Sequence, residues 1–183
     1  AKVGADFPLG IKINSADFQR GAFTEEESME VIQMLDEAGM DMIEVSGGTY
    51  ERAAMVGTQH KESTIKREAY FIDFIKKVRD KISSPLMLTG GFRTINTMEK
   101  AVDNGELDFV GLGRPFCVFP DVAKDLLSGK MMDCSVPDLI TGVDKIDMTG
   151  MLQTPWHQFQ LVRMGKGLDP DPKMDLWMVY EKV

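Results

Sequence analysis

Apolar and polar positions switch period repeatedly between residues 8 and 128. Short runs of β-type composition at 9–13, 42–45, 86–88 and 109–112 alternate with stretches whose apolar residues recur every three or four positions. That alternation predicts strands interleaved with amphipathic helices, the pattern of βα units on a parallel sheet. The first helical stretch opens at Thr24, followed by Glu25, Glu26 and Glu27. Thr24 is placed to cap, Glu27 to close a capping box, and all three acids sit at the positive end of the helix dipole. Met29, Ile32, Met34, Leu35 and Ala38 form the apolar side, and Gly39 is expected to stop the helix. Phe71, Phe74, Ile75 and Val78 mark a second helix, 96–103 a third and 121–127 a fourth, with Pro85 just ahead of the third strand.

Four units between residues 8 and 128 take about 30 residues each, close to the ~31 per unit of an eightfold barrel of ~250 residues. The expected fold is therefore α/β of the (β/α)8 TIM-barrel type, with only four βα units present. Residues 1–128 are assigned to this half barrel. Beyond Gly129 the period weakens, an amphipathic helix over 156–164 precedes Gly165, Gly167 and PDPK, and 129–183 is expected to be a helical packing arm of the same domain. Four strands taken from a barrel leave two sheet edges and an apolar inner face, so a partner is expected: the other half of the barrel, as a separate chain or part of a longer one, or a second copy in an oligomer.

Composition narrows the function. Twenty-one Lys and Arg against 29 Asp and Glu give a net charge of −8, the wrong sign for a phosphate-backbone partner, so nucleic acid is not expected. Cys117 and Cys134 have no CxxC spacing and His60 and His157 are the only histidines, which leaves neither a disulfide framework nor a Cys/His metal site. A reducing cytoplasm is the expected compartment. No apolar run approaches the ~18 residues of a membrane helix, and AKVGADFPLG has no initiator Met or signal-peptide pattern, so the sequence is expected to begin within a longer protein.

Ligands of parallel α/β folds meet the C-terminal ends of the strands. Those ends are Asn14-Ser15, Ser46-Gly47-Gly48, Gly90-Gly91-Phe92 and Gly113-Arg114. Glycine lets backbone N–H groups converge on an anion, and an arginine fork matches phosphate geometry. Singly, a Gly-Gly after a strand is more often a turn and an arginine fits a surface ion pair; together, on successive strands, they point to a phosphomonoester pocket between the third and fourth strands. Lys12 lies inside an apolar strand, where a cation needs a partner or a functional pocket. Lys12 and Glu44 are the only strand-end candidates for a Schiff-base lysine or carboxylate base, as an aldolase or isomerase would require. Tyr70, Phe71, Trp156 and Phe159 are expected in the core rather than as a cofactor platform, and the acidic run 25–27 as a solvated helix start.

The segments PLGIKINSADFQRGAFTEEE, LDEAGMDMIEVSGG, KREAYF, SPLMLTGGF and LDFVGLGRPFCVFPD, in this order, with RMGKGLDPDPK in the tail, resemble the C-terminal half of the old yellow enzyme family, the FMN-dependent NADH:flavin oxidoreductases. The resemblance implies that Gly90, Gly91, Phe92, Gly113 and Arg114 hold the flavin phosphate. Lys12 stands where the family usually has an arginine beside the flavin pyrimidine ring. It implies FMN as cofactor, NAD(P)H as hydride donor and an activated alkene or similar small molecule as acceptor. The family's substrate-holding, proton-donating and flavin-tuning residues belong to the other half, so no catalytic residue is assigned here. His60 and His157 match none of them and are expected to be structural or solvent-exposed. A non-catalytic half barrel that binds a phosphorylated ligand, or only assembles, is the alternative.

Overall fold

The computed structural model describes residues 4, 6–47, 68–137, 139–147 and 150–181. Four strands, β1 (Gly10–Asn14), β2 (Met42–Ser46), β3 (Leu86–Thr89) and β4 (Phe109–Gly111), form one parallel sheet in sequence order. Helices α1 (Glu25–Glu37), α2 (Ile72–Arg79) and α3 (Ile95–Asp103) connect or follow them. After β4 come α4 (Arg114–Val118) and α5 (Val122–Leu127), then α6 (Asp144–Asp147), α7 (Gln153–Gly165) and α8 (Leu176–Tyr180) in the arm. Short α4, α6 and α8 add to what the sequence pattern predicts. His60 and the predicted loop around it lie outside the described residues.

The register pairs Lys12 with Glu44, Val45 with Leu88 and Thr89 with Gly111, so alternate residues separate cleanly onto two faces. Ile43, Val45, Leu86 and Leu88 point to the helices and are fully buried against Ile32, Phe74, Ile75, Val78, Met98, Ala101 and Val122. Each such side chain contributes roughly 1.5–3 kcal/mol by leaving water. The capping box at α1 forms as expected, with Glu27 N–H donating to Thr24 Oγ1 at 3.2 Å and Thr24 N–H to Glu27 Oε2 at 2.9 Å. Gly39 follows the helix at φ +81. Carboxylates brace the entry to the strands: Asp41 accepts from Leu9 N–H at 2.7 Å, Asp36 from Ser84 N–H at 2.7 Å, and Asp108 from Leu86 N–H at 2.8 Å. The Ser84 and Ser83 donors hold the Asp36 carboxyl below its ordinary range.

The opposite face carries Gly10, Lys12, Met42, Glu44, Met87, Thr89, Phe109 and Gly111. The expectation of an apolar inner face needs correcting here. Met42, Met87 and Phe109, the last 51% exposed, are the apolar members of this face. Among them, however, runs a polar cluster in which Lys12 Nζ meets Glu44 Oε1 at 3.0 Å and Thr89 Oγ1 donates to the same oxygen at 2.7 Å. The pairing register sets Lys12 level with Glu44, while Thr89 reaches Glu44 from two residues beyond its register partner Met87, an arrangement that sequence periodicity alone does not reveal.

Residues after Gly129 build a second small core with α4. Trp156, Leu152, Leu139 and Val179 enclose Val118 of α4, and half-buried Phe119 touches both cores. Trp156 Nε1 donates to Met174 O at 3.2 Å, while buried Gln160 exchanges two hydrogen bonds with the Asp171 backbone. Trp156 and Phe71 are core as expected; Tyr70 and Phe159 are half-buried.

Candidate functional site

The site is built where β3 and β4 end side by side. Register Thr89↔Gly111 brings the segment Gly90-Gly91-Phe92 next to Gly113-Arg114. Gly90 and Gly91 have φ of +136 and +83, conformations that L side chains rarely adopt. A Cβ on Gly91 would lie 2.7 Å from the Tyr70 ring, and one on Gly111 would collide with Thr89 Oγ1, so the turn and the close strand approach both require glycine. Gly113 differs. Its φ is −106, and a Cβ there would meet nothing within 4 Å. Packing does not require glycine at this position; an open space at the end of β4 is where backbone can approach a ligand.

Among the described residues, the N–H groups of Gly91, Phe92, Gly113 and Arg114 make no hydrogen bond, and the Arg114 guanidinium has no ion pair. Phe92 itself is 4% exposed, its ring part of the main core, so only its backbone can serve a ligand. These groups suit a phosphomonoester: amides from two adjacent loops and one planar cation. The residues present therefore fit the FMN phosphate.

Lys12 is not gathered into this cluster. It sits two strands away on the inner face, its side chain 54% exposed and paired with Glu44. Its contact with the ligand loops is indirect, through Glu44 and Thr89, whose successor is Gly90.

One feature escaped the sequence. Glu68 accepts from the N–H groups of Arg93 and Thr94 at 2.7 and 2.8 Å and from Thr94 Oγ1 at 2.8 Å, pinning the far end of the β3 loop. Its place in the KREAYF segment was the available signal. His157 is structural rather than solvent-exposed, at 6% exposure on α7, where that helix packs on α4. Its Nδ1 lies 2.6 Å from Gln153 O, which makes Nδ1 the protonated nitrogen, and its buried Nε2 has no partner. Burial, chiefly, and the Arg114 charge push its pKa below the ordinary value, against the Gln153 carbonyl. Burial raises both thiols, and Cys134 Sγ packs on Arg93 O at 3.1 Å. No group of three His, Cys, Asp or Glu is gathered to hold a metal ion among the described residues. Nor is any described helix long and apolar enough to cross a membrane.

Comparison with known proteins decides the family. The sequence profile of the NADH:flavin oxidoreductase / NADH oxidase family matches residues 1–132. The chain belongs to that family. Among curated relatives, an NADH-dependent flavin oxidoreductase of Hypocrea jecorina is 39% identical over 134 residues, 69% of the chain and 33% of the relative. Another, from Talaromyces variabilis, is 36% identical over 132 residues, 69% of the chain and 32% of the relative. The chain thus spans about a third of the length of these relatives.

Solved structures agree on the fold. A 2-naphthoyl-CoA reductase in complex with 2-naphthoyl-CoA superposes with a TM-score of 0.65 at 23% identity, over 87% of this chain and 24% of the other. An old yellow enzyme homologue from Zymomonas mobilis gives 0.50 at 20% identity, over 72% of this chain and 33% of that one. The chain accordingly has the fold of part of an α/β barrel of the old yellow enzyme type, and FMN with NAD(P)H is the cofactor pair of its family.

Proposed function

We propose that this chain is the phosphate-binding half of an FMN-dependent oxidoreductase that passes hydride from NAD(P)H to an activated alkene or a similar small-molecule acceptor. The observation that carries the reading is the pairing of two glycine loops on adjacent strands, with four amides and an Arg114 guanidinium at one sheet end that have no partner among the described residues. Residues 1–128 form the half barrel and 129–183 its packing arm.

Within this reading the chain's residues bind and orient. Gly91, Phe92 and Gly113 present backbone N–H groups to the phosphate, and Arg114 supplies its fork. Lys12 offers positive charge toward the pyrimidine side of the flavin, moderated by Glu44 at 3.0 Å. FMN when bound supplies the hydride acceptor and donor. The proton that accompanies hydride transfer comes from residues beyond this half, because no side chain here is assigned to proton donation. The exposed Phe109, the half-buried Met42 and Met87, and the two open sheet edges support completion by the other half of the barrel or by a second copy.

The test is FMN titration of the purified chain beside Arg114→Ala. Loss of the Arg114 fork should weaken FMN binding on the order of tenfold or more, since charge-assisted bidentate bonds carry ~1.5–3 kcal/mol. Equal affinity in the variant refutes the assignment. If the wild-type chain takes up FMN but NADH never bleaches it even beside a complementing half, the non-catalytic reading holds instead.

A further inference from the structure

We propose that Glu68 is a positioning residue for the phosphate loop, acting with Tyr70 to bracket residues 90–94 so that the amides of Gly91 and Phe92 are left facing the anion; the inference rests on the flavin-phosphate reading above.

The bracket has two ends. At the near end Tyr70 N–H donates to Gly90 O at 3.1 Å, and the Tyr70 ring closes over Gly91 at the distance where a Cβ would sit 2.7 Å from it. At the far end the Glu68 carboxylate takes up both Arg93 N–H and Thr94 N–H, together with the Thr94 hydroxyl. Cys134 N–H on Arg93 O at 2.8 Å and Ile95 N–H on Met132 O at 3.0 Å fix the other side of the same turn. Of the successive amides at 91–94, the last two are consumed by Glu68 and the first two are not. The loop is therefore held by a strut from 25 residues upstream rather than by its own turn chemistry.

A second consideration is the cap of α3. Thr94 is its N-cap residue, yet the Thr94 side chain makes no cap bond; its hydroxyl is turned to Glu68, to which it donates, and lies 3.0 Å from Thr97 Oγ1. A threonine that gives up its local role to an acid distant in sequence makes the start of α3 depend on the placement of Glu68.

The role is geometric, so an isosteric amide should perform it. The oxygen of Glu68→Gln can accept from both amides while its NH2 donates to the Thr94 hydroxyl. Glu68→Ala removes the strut, and Glu68→Asp withdraws the carboxylate by one methylene. The experiment compares FMN with riboflavin, which lacks the phosphate, in fluorescence titrations of the whole chain, and follows amide exchange at Arg93 and Thr94 without ligand. Glu68→Ala is expected to weaken FMN on the order of tenfold and leave riboflavin unchanged, with faster exchange at both amides. Glu68→Asp should move the same way by less, which keeps the question answerable if Glu68→Ala does not fold. Glu68→Gln should keep the wild-type preference and protection. A wild-type preference for FMN that survives Glu68→Ala or Glu68→Asp overturns this inference alone. No preference in the wild type overturns the flavin-phosphate reading, and this inference with it.

Discussion

Gly91→Ala separates two reasons why glycine stands at the end of β3. The first is conformational: at φ +83 an alanine costs about 1–2 kcal/mol relative to glycine. The second is steric, because the new Cβ would lie 2.7–2.9 Å from three atoms of the Tyr70 ring. Overpacking of this kind costs about 1–3 kcal/mol, and the half-buried ring has some room to move, which favours the lower end. The total is about 3 kcal/mol, or on the order of 6–12 °C in Tm for a chain of this size. Gly39 is a control: its φ is +81, and a Cβ there meets nothing within 4 Å. Gly39→Ala should therefore show the conformational cost alone. Urea or thermal unfolding followed by circular dichroism would measure both, alone and with Tyr70→Ala. In the Tyr70→Ala background the cost of Gly91→Ala should fall to that of Gly39→Ala. Equal costs for the two glycines in the wild-type background, or a Gly91 cost indifferent to Tyr70, would refute the packing argument.

Gly113→Ala should change stability by less than about 0.5 kcal/mol, since its Cβ enters open space, yet weaken FMN binding in a titration, since that space is where the phosphate approaches; unchanged affinity would place the ligand elsewhere. Lys12→Met should lower the potential of bound flavin by on the order of 30 mV, equivalent to about 1.4 kcal/mol for two electrons, and leave phosphate-dependent affinity intact; an unchanged potential in spectroelectrochemical titration means that the Glu44 pair fully masks the lysine. His157 sets a pH dependence. Its folded pKa lies below the ordinary ~6.5, so the unfolded chain binds the proton first and stability falls as pH drops through about 6.5 toward the folded value, by up to about 1.4 kcal/mol per pH unit. Denaturation midpoints between pH 5 and 8 would reveal it, and His157→Gln should remove that part of the slope.

The sequence made the sheet legible because its helix-facing residues, Ile43, Val45, Leu86 and Leu88, are uniformly apolar and bounded by glycine and proline. The capping box at Thr24 and the glycine-rich ends of β3 and β4 were legible for the same reason: each is a local pattern with a local cause. What escaped is non-local. Lys12 faces Glu44 because of a register across 32 residues, and Glu68 reaches Arg93 and Thr94 across 25 and 26, so neither pairing leaves a periodic trace. The five-residue α4, which begins at Arg114 and carries Pro115, is too short for any helical period to show. His157 reads as an ordinary polar residue until α7 is packed against α4. The family resemblance, carried by ordered segments rather than by any one motif, supplied the cofactor that local patterns could only narrow to a phosphate.

The central claim, that one phosphate is held jointly by the loops after β3 and β4, is tested most directly by amide hydrogen exchange of the whole chain with and without FMN. The account predicts added protection at Gly91, Phe92, Gly113 and Arg114 together, absent when riboflavin replaces FMN. Protection confined to one loop, or equal protection by riboflavin, would contradict it.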